Sequence, residues 1–269
     1  MAEPTQVLDE VLDDLRAETE ALEGVVAALP AAGWATPTPA PGWTVAHQIA
    51  HLAWTDERAL LAATDPDAFR REAAALTAGP DPAAFIDEGA ARGARRPPDV
   101  LLAGWRAGTT ALAAALAALP EGTRMPWYGT AMSAPSMATG RLMETWAHGE
   151  DVADALGVVR EATARLRHVV RIGVRARDYA YAARGLGPPA APFRVEVTGP
   201  GGEVWAHGPA DAAERVTGDA LDFCRLVTQR LHRDDADVHA EGAEAERWLG
   251  IAQAFAGPPG QGRARREEA

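Results

Sequence analysis

The feature that most constrains the fold is the recurrence of apolar residues every three or four positions along most of residues 1–185. This spacing places the apolar side chains on one face of a helix, so it predicts an amphipathic helix wherever it persists. Proline and glycine interrupt the pattern at intervals, as residues that end helices do. We therefore predict long helices over residues 5–29, 45–63, 100–119, 136–156 and 163–184.

Prolines also indicate how these helices begin. Residues 34–43 contain three prolines, so this segment is predicted to be an extended, ordered strap. It leads to Thr44, which is a good N-cap for the following helix. Asp65-Pro66 and Asp81-Pro82 each combine an acidic N-cap with a proline at the first helical position. These two pairs predict two shorter helices between the second and third long ones.

The pattern changes after the stretch 185–192, which is rich in glycine and proline. Residues 193–198 alternate between apolar and polar, which predicts a strand, and residues 203–207 are its expected hairpin partner. Helices are predicted over residues 219–232 and 244–255. The predicted fold is therefore mainly α. It has a helical bundle over residues 1–185, a small α+β module over residues 190–258 and a disordered tail over residues 259–269.

Composition and charge argue against several classes of function. The net charge of -12 argues against a nucleic-acid partner, because general binding to phosphate backbones needs a dense basic surface. No apolar run approaches the roughly 18 residues that a membrane-spanning helix needs, so no membrane association is expected. The single cysteine, Cys224, excludes an internal disulfide framework and suits a reducing compartment. We expect a cytoplasmic protein, either a monomer or a homodimer.

One predicted helix carries potential metal ligands. Glu144, His148 and Asp151 are spaced by four and three residues, which places them on one helix face. Glu144 and His148 could hold a divalent ion at two points, and His51 could supply a third ligand if its helix meets this one. Two imidazoles and a carboxylate leave coordination positions open, as in catalytic zinc sites, and they also accept nickel or iron.

The same residues have plainer interpretations, which spacing alone leaves open. The acidic and histidine side chains of residues 144–151 could form a solvated helix face. His47, one turn before His51, could be a helix cap, a fourth ligand, a catalytic base or a group that faces the substrate. Asp151, one turn after His148, is placed to accept the second N–H of that ring. Trp127 and Tyr128, in the loop before this helix, could cover the site as cofactor-binding residues.

Two segments together carry a resemblance to a known family. They are Pro41-Gly-Trp-Thr-Val-Ala-His-Gln-Ile-Ala-His-Leu52 and, further along the chain, Glu144-x-x-x-His148-x-x-Asp151. They resemble the DinB/YfiT-like metalloenzymes and, among these, the mycothiol-dependent maleylpyruvate isomerase family. The resemblance implies a DinB-like up-and-down four-helix bundle over residues 1–185. It also implies that residues 190–258 form a module similar to sterol carrier protein 2, an SCP2-like module.

The resemblance also implies the chemistry of the site. It implies a divalent metal, usually zinc, at the positions of His51, Glu144 and His148, and a low-molecular-weight thiol, mycothiol, that binds this metal as a thiolate. The isomerase of the family uses an arginine in its C-terminal module, and Arg230 is the candidate in this chain. Many relatives carry aspartate at the position of His47, so a histidine here puts the role of that position in doubt.

Three functions follow as hypotheses. The first is a metal- and mycothiol-dependent transferase or isomerase that acts on a small electrophilic substrate. The second keeps the metal without the thiol, as a hydrolase, lyase or cyclase in which His47 or Asp151 is the base. The third is a non-catalytic protein that binds a metal and a hydrophobic ligand.

Overall fold

The computed structural model describes residues 4–77 and 84–266. Contacts between residues divide the chain into two compact units, residues 1–159 and residues 160–269. The first unit is built from helices and one very short hairpin. Its elements are α1 (Pro4–Val26), α2 (Ala31–Trp34), α3 (Val45–Thr64), α4 (Pro66–Thr77), α5 (Ala84–Ala94), α6 (Pro98–Ala118), β1 (Arg124–Met125), β2 (Met132–Ser133) and α7 (Ala134–Leu156).

Four long helices form the core of the first unit. α3 packs against α6 and α7, and α1 also packs against these two helices. Leu22 of α1, Ile49 of α3 and Trp105 of α6 are fully buried in one apolar cluster. Burying a large apolar side chain contributes about 1.5–3 kcal/mol, so the helical stripes drive the packing. The predicted mainly α fold is confirmed, and these four helices lie within a few residues of their predicted bounds.

Capping residues account for several helix ends. Asp65 Oδ1 accepts the backbone N–H of Ala68 at 2.9 Å, so α4 begins as predicted. Gly157 ends α7 in the left-handed conformation, with φ of 65°, which glycine adopts without strain. The predicted cap Asp81-Pro82 lies outside the described residues, and α5 is described from Ala84.

The strap, residues 34–43, is closed onto the start of α3. An antiparallel bridge pairs Pro37 with Thr44. The backbone N–H of Thr38 donates to the carbonyl oxygen of Trp43 at 2.8 Å, and the N–H of Val45 donates to that of Thr36 at 3.0 Å. The strap is therefore an ordered loop whose path is fixed by backbone hydrogen bonds, in agreement with its prolines.

Helix α6 corrects the expectation that no segment is apolar enough to cross a membrane. By length and composition it would suffice, since its most apolar window has a mean hydropathy of 1.4. In the structure, Leu101, Trp105, Leu112 and Leu116 form a buried stripe on this helix, which packs against α3. Burial in the first unit thus explains this stripe of α6, which is about a third of its most apolar window.

The second unit combines a four-stranded sheet with short helices. Its elements are α8 (Leu166–Arg175), α9 (Arg177–Ala182), β3 (Phe193–Thr198), β4 (Val204–His207), β5 (Glu214–Asp219), α10 (Ala220–Val227), β6 (Val238–Glu241) and α11 (Ala243–Ile251). The strand order is β4-β3-β5-β6, with β3 and β5 parallel and the other neighbours antiparallel. Val195, Val197 and Val216 are fully buried, and α10 and α11 pack against the sheet. This arrangement confirms the predicted α+β character.

The sequence predicts the β3–β4 hairpin correctly but other parts of this unit less well. The single helix predicted over residues 163–184 is two helices, α8 and α9, separated at Ala176. The helix predicted over residues 219–232 ends at Val227, and Gln229 then adopts a φ of 63°. Strands β5 and β6 are not predicted, because each has a single buried residue, Val216 and Val238, and shows no clear alternation.

The boundary between the units lies after Val159, whereas the sequence places it at residues 185–190. The difference arises because α8 packs on α10 and so belongs to the second unit. Residues 259–266, part of the predicted disordered tail, have no regular structure but do contact this unit. The backbone N–H of Arg266 donates to Asp235 at 2.9 Å, and Arg265 lies 3.8 Å from Asp234. Residues 267–269 lie outside the described residues.

Helices α3 and α5 approach each other closely at Gly93, where an added Cβ would lie 2.7 Å from the Cβ of Ala50. We expect Gly93→Ala to lower the free energy of unfolding by about 1–3 kcal/mol, because the two helices must separate. Gly104→Ala on α6 is the matched control, since its added Cβ meets nothing within 4 Å. This control should raise the free energy of unfolding by about 0.5–1 kcal/mol, because alanine favours a helix more than glycine does. Urea denaturation measures both, and equal effects would contradict this packing.

Candidate metal centre

His51, Glu144 and His148 meet between α3 and α7. Each residue offers one potential ligand atom, and these three atoms lie within 4.8 Å of one another. His51 Nε2 is 3.3 Å from Glu144 Oε2, and the centroids of the two imidazole rings are 4.6 Å apart. The packing of α3 on α7 therefore brings together the three residues that the sequence predicts as ligands.

These residues suit a divalent ion in three respects. The donor set, two imidazoles and one carboxylate, is one that zinc, nickel and iron accept. His51 Nδ1 is buried and has no hydrogen-bond partner among the described residues, and such an orphaned polar atom points to a missing ion or water. The side chains of His148 and Glu144 are 15% and 27% exposed, so the group can be reached from solvent. The residues present therefore fit a metal site with an accessible side.

Arg141 holds the carboxylate of Glu144 in place. Its Nη1 donates to Glu144 Oε2 at 2.7 Å, and its Nε donates to Asp56 Oδ1 at 2.8 Å. Thr109 Oγ1 on α6 donates to the other oxygen of Asp56 at 2.9 Å. Arg141 and Asp56 are almost fully buried, so this ion pair lies in a region of low dielectric. Residues of α3, α6 and α7 are thus joined in one hydrogen-bonded network beneath the candidate ligands.

The network determines the charge state of Glu144. Burial acts to raise the pKa of this carboxyl group, but the charge of Arg141 and the hydrogen bond and charge of His51 outweigh it. Together they hold the pKa of Glu144 well below its usual range. Glu144 is therefore an anion at physiological pH, as a metal ligand must be.

The Nδ1 atom of His148 lies at hydrogen-bond distance from Gln48. Its Nδ1 lies 2.5 Å from Gln48 Oε1 but 4.0 Å from Asp151 Oδ2. Gln48 is fully buried on α3, one turn before His51. The role of Asp151 as an acceptor for the His148 ring stays a prediction. Asp151 is buried and has other interactions of its own.

His47 caps the start of α3. Its Nδ1 lies 3.3 Å from the backbone nitrogen of Thr44 and 2.9 Å from the Thr44 hydroxyl oxygen. The Thr44 side chain in turn accepts from the backbone N–H of His47. Burial lowers the pKa of His47, while the charge of Asp87 acts to raise it. These contacts agree with the cap interpretation. A further role as a ligand or base stays a prediction.

Trp43, at the end of the strap, forms a wall beside the two candidate histidine ligands. Its ring stacks on His148 with 6.0 Å between centroids and an interplanar angle of 17°, and it lies 5.3 Å from the ring of His51. Its indole N–H donates to Asp87 on α5 at 3.0 Å. Sequence reasoning did not single out this tryptophan as a site residue. Its position directly before the capping Thr44 is the signal that places it near the start of the His51 helix.

Trp127 and Tyr128 pack in an aromatic cluster with α4 and α5. Trp127 stacks on Phe69 at 5.6 Å, and Tyr128 lies 5.2 Å from both Phe69 and Phe85. Burial raises the pKa of Tyr128 to about 12. These contacts are those of core aromatic residues, and the predicted role in cofactor binding stays a prediction.

Arg230 belongs to the second unit, directly after the left-handed Gln229. Its backbone N–H donates to the carbonyl of Arg225 at 2.7 Å, and its guanidinium donates to the carbonyl of Thr228 at 2.5 Å. The side chain is half-buried. Its predicted role as an anion clamp stays a prediction.

Comparisons with known proteins give matches over most of the chain. The family model described as the mycothiol maleylpyruvate isomerase N-terminal domain matches residues 15–153, more than half of the chain. The chain belongs to this family. The match includes α3 and most of α7, with all three candidate ligands. A second model, described as wyosine base formation, matches residues 189–241, and the SCP2-like character of this part stays a prediction.

Other proteins and solved structures are similar to this chain over most of its length. Two proteins of Mycobacterium tuberculosis, "Uncharacterized protein MT0041" of strain CDC 1551 / Oshkosh and "Uncharacterized protein Rv0036c" of strain H37Rv, are 57% identical over 250 residues. The match covers 93% of this chain and 96% of theirs. Crystal structures of the mycothiol-dependent maleylpyruvate isomerase and of a histidine-to-alanine mutant are 19% identical, with TM-scores of 0.58 and 0.59. They cover 88% of this chain and 95% of those chains, which shows a common fold.

The buried Arg141–Asp56 pair gives a stability prediction for this member of the family. Arg141→Met leaves Asp56 buried without its partner, so it should lower the free energy of unfolding of the metal-free protein by about 3–5 kcal/mol. Arg141→Met combined with Asp56→Leu should cost less than the two single changes added together. Urea denaturation of the four proteins measures this coupling.

The control for this cycle is Arg70→Met, which breaks an exposed ion pair with Asp67. Its free energy of unfolding should stay nearly unchanged, because solvent screens exposed pairs. Additive effects of the two buried substitutions would contradict the proposed network.

Proposed function

We propose that this protein is a divalent-metal-dependent enzyme that uses mycothiol as a thiol transferase or isomerase on a small electrophilic substrate. The observation that carries the proposal is the meeting of His51, Glu144 and His148 at ligand distances in a member of this family. Zinc is the metal that we expect, and nickel and iron suit the same ligands. We also expect a cytoplasmic location, where a low-molecular-weight thiol stays reduced.

His51, Glu144 and His148 would hold the metal. When bound, the ion would supply a Lewis acid that keeps the sulfur of a thiol ionised near neutral pH, and a thiolate is the nucleophilic form. Arg141 keeps Glu144 anionic and correctly placed, and Gln48 orients His148. The ring of Trp43 lies against both imidazoles and limits access of water on that side.

The thiol-independent hydrolase, lyase or cyclase would use the same three ligands. The family and the solved structures with the same fold favour the thiol, since both are named for mycothiol-dependent isomerases. The proposed base of the alternative, His47, is engaged with Thr44 at the helix start. A non-catalytic role is favoured less, because a metal that only braces the bundle needs no solvent-accessible side, and His148 and Glu144 have one.

Metal binding is the first test. Protein dialysed against zinc and then against buffer should retain about one ion per chain, measured by atomic emission spectroscopy. His148→Ala should lose this ion. His239→Ala, in which an exposed histidine paired with Asp237 is removed, is the matched control and should retain it. A wild-type protein that binds no divalent ion on titration would refute the proposal.

Thiol binding is the second test. Mycothiol added to the cobalt-substituted protein should produce a thiolate-to-cobalt charge-transfer absorption band and raise the melting temperature, because a ligand that binds only the folded state stabilises it. The disulfide form of mycothiol, which has no free thiol, should do neither. If mycothiol leaves both the spectrum and the melting temperature unchanged at millimolar concentration, the thiol-independent enzyme becomes the better explanation.

A further inference from the structure

A chain of side-chain hydrogen bonds runs from the strap to the candidate ligand His148. Thr38 Oγ1 donates to the carbonyl oxygen of Trp43 at 3.0 Å, and Gln48 Nε2 donates to Thr38 Oγ1 at 2.8 Å. At the other end of the same amide, Gln48 Oε1 lies 2.5 Å from His148 Nδ1. Four residues from the strap, α3 and α7 are therefore connected in one line.

The donor-to-acceptor direction of these hydrogen bonds is fixed at the Trp43 end. A carbonyl oxygen can only accept, so the single hydroxyl proton of Thr38 must point to Trp43. The hydroxyl oxygen can then only accept from Gln48, which requires the NH₂ group of the amide on this side. The amide oxygen of Gln48 must consequently face His148. The opposite orientation would place two acceptors, the Thr38 hydroxyl oxygen and the Trp43 carbonyl, 3.0 Å apart without a proton between them.

We infer that Gln48 and Thr38 are positioning residues that set the tautomer of His148. Because Gln48 Oε1 can only accept, the neutral ring must carry its proton on Nδ1. In this tautomer the lone pair lies on Nε2, the nitrogen that would face a metal. The strap thus selects which nitrogen of His148 serves as the metal donor, before any metal arrives. The inference rests on the proposed metal site for its purpose, but the tautomer itself is a property of the metal-free protein.

Three features of the structure suit this group of residues to setting the tautomer. Gln48 is fully buried, so water does not compete for either end of its amide. The backbone N–H of Thr38 also donates to the Trp43 carbonyl at 2.8 Å, which fixes the position of the terminal acceptor. The indole of Trp43 stacks on the ring of His148 and restricts its rotation. The ring is therefore held on its edge by Gln48 and on its face by Trp43.

The tautomer can be measured directly. Nitrogen-15 NMR of metal-free protein labelled at histidine, recorded well above the ordinary imidazole pKa of about 6.5, distinguishes the two neutral forms. The signals of His148 are identified by their absence in His148→Ala. We expect the form protonated on Nδ1 in the wild type. A wild-type ring protonated on Nε2 would overturn the inference, whether or not the protein binds zinc.

Variants of Gln48 test the acceptor. Gln48→Leu removes it, so the Nδ1-protonated form should lose its preference and the zinc affinity of the protein should fall by about 10–100-fold. Gln48→Glu keeps an acceptor at this position and should retain both the tautomer and the affinity. Unchanged tautomer and affinity in Gln48→Leu would overturn the inference.

Variants of Thr38 test the direction of these hydrogen bonds and leave the acceptor of His148, Gln48 Oε1, in place. Thr38→Val removes the hydroxyl, so the amide of Gln48 is free to turn and the tautomer preference should weaken. Thr38→Ser restores the hydroxyl and should restore the preference. The two Thr38 variants test how the tautomer of His148 is set even if Gln48→Leu fails to fold. A full tautomer preference in folded Thr38→Val would show that Thr38 does not set the direction and would overturn the inference.

Thr19→Val on α1 is the matched control, because the Thr19 hydroxyl is also buried and donates to a backbone carbonyl, that of Leu15. It should change neither the tautomer nor the zinc affinity. An equal loss of affinity in Thr19→Val and Thr38→Val would reveal a general effect of stability and overturn the inference. A wild type with the expected tautomer but no zinc binding would instead refute the proposed function and leave the tautomer assignment standing.

Discussion

The buried guanidinium of Arg141 is the interaction on which the first unit depends. It bonds Asp56 of α3 and Glu144 of its own helix α7, and Asp56 in turn accepts from Thr109 of α6. A buried charge without its partners costs several kcal/mol, so the three helices are constrained to the one arrangement that satisfies all of these groups. The same arrangement brings His51 to Glu144. Helix packing and the geometry of the candidate metal centre are therefore consequences of one network.

The strap and the bundle contribute different things to the site. The bundle supplies the three candidate ligands from α3 and α7, whose regular geometry fixes their separation. The strap supplies Trp43 and Thr38, which act on the orientation of His148 through stacking and through Gln48. Loops that carry function are usually held by a rigid scaffold, and here the loop itself is closed by backbone hydrogen bonds. A short, proline-rich segment thus contributes to the precision of a site whose ligands are all helical.

The sequence predicts those features that depend on local periodicity. The spacing of Glu144 and His148 and the glycine that ends α7 depend only on neighbours along one helix, and both predictions agree with the structure. The partner of His148 is different, because Gln48 reaches it only after α3 and α7 have packed. Nothing in the periodic pattern distinguishes Gln48 from Asp151 as an acceptor. Strands β5 and β6 were missed for a related reason, since their pairing partners are distant and each strand buries only one residue.

The pairing of Arg141 with Asp56 has a consequence for the sign of the charge at the site. The single positive charge of Arg141 is shared between Asp56 and Glu144, so these three side chains together carry one net negative charge beside two imidazoles. The charge of these side chains is thus attractive to cations and repels anions. A divalent ion would more than neutralise this net charge and make the same place attractive to anions such as a thiolate. The charges of these side chains would therefore favour binding of the cation before the anionic partner.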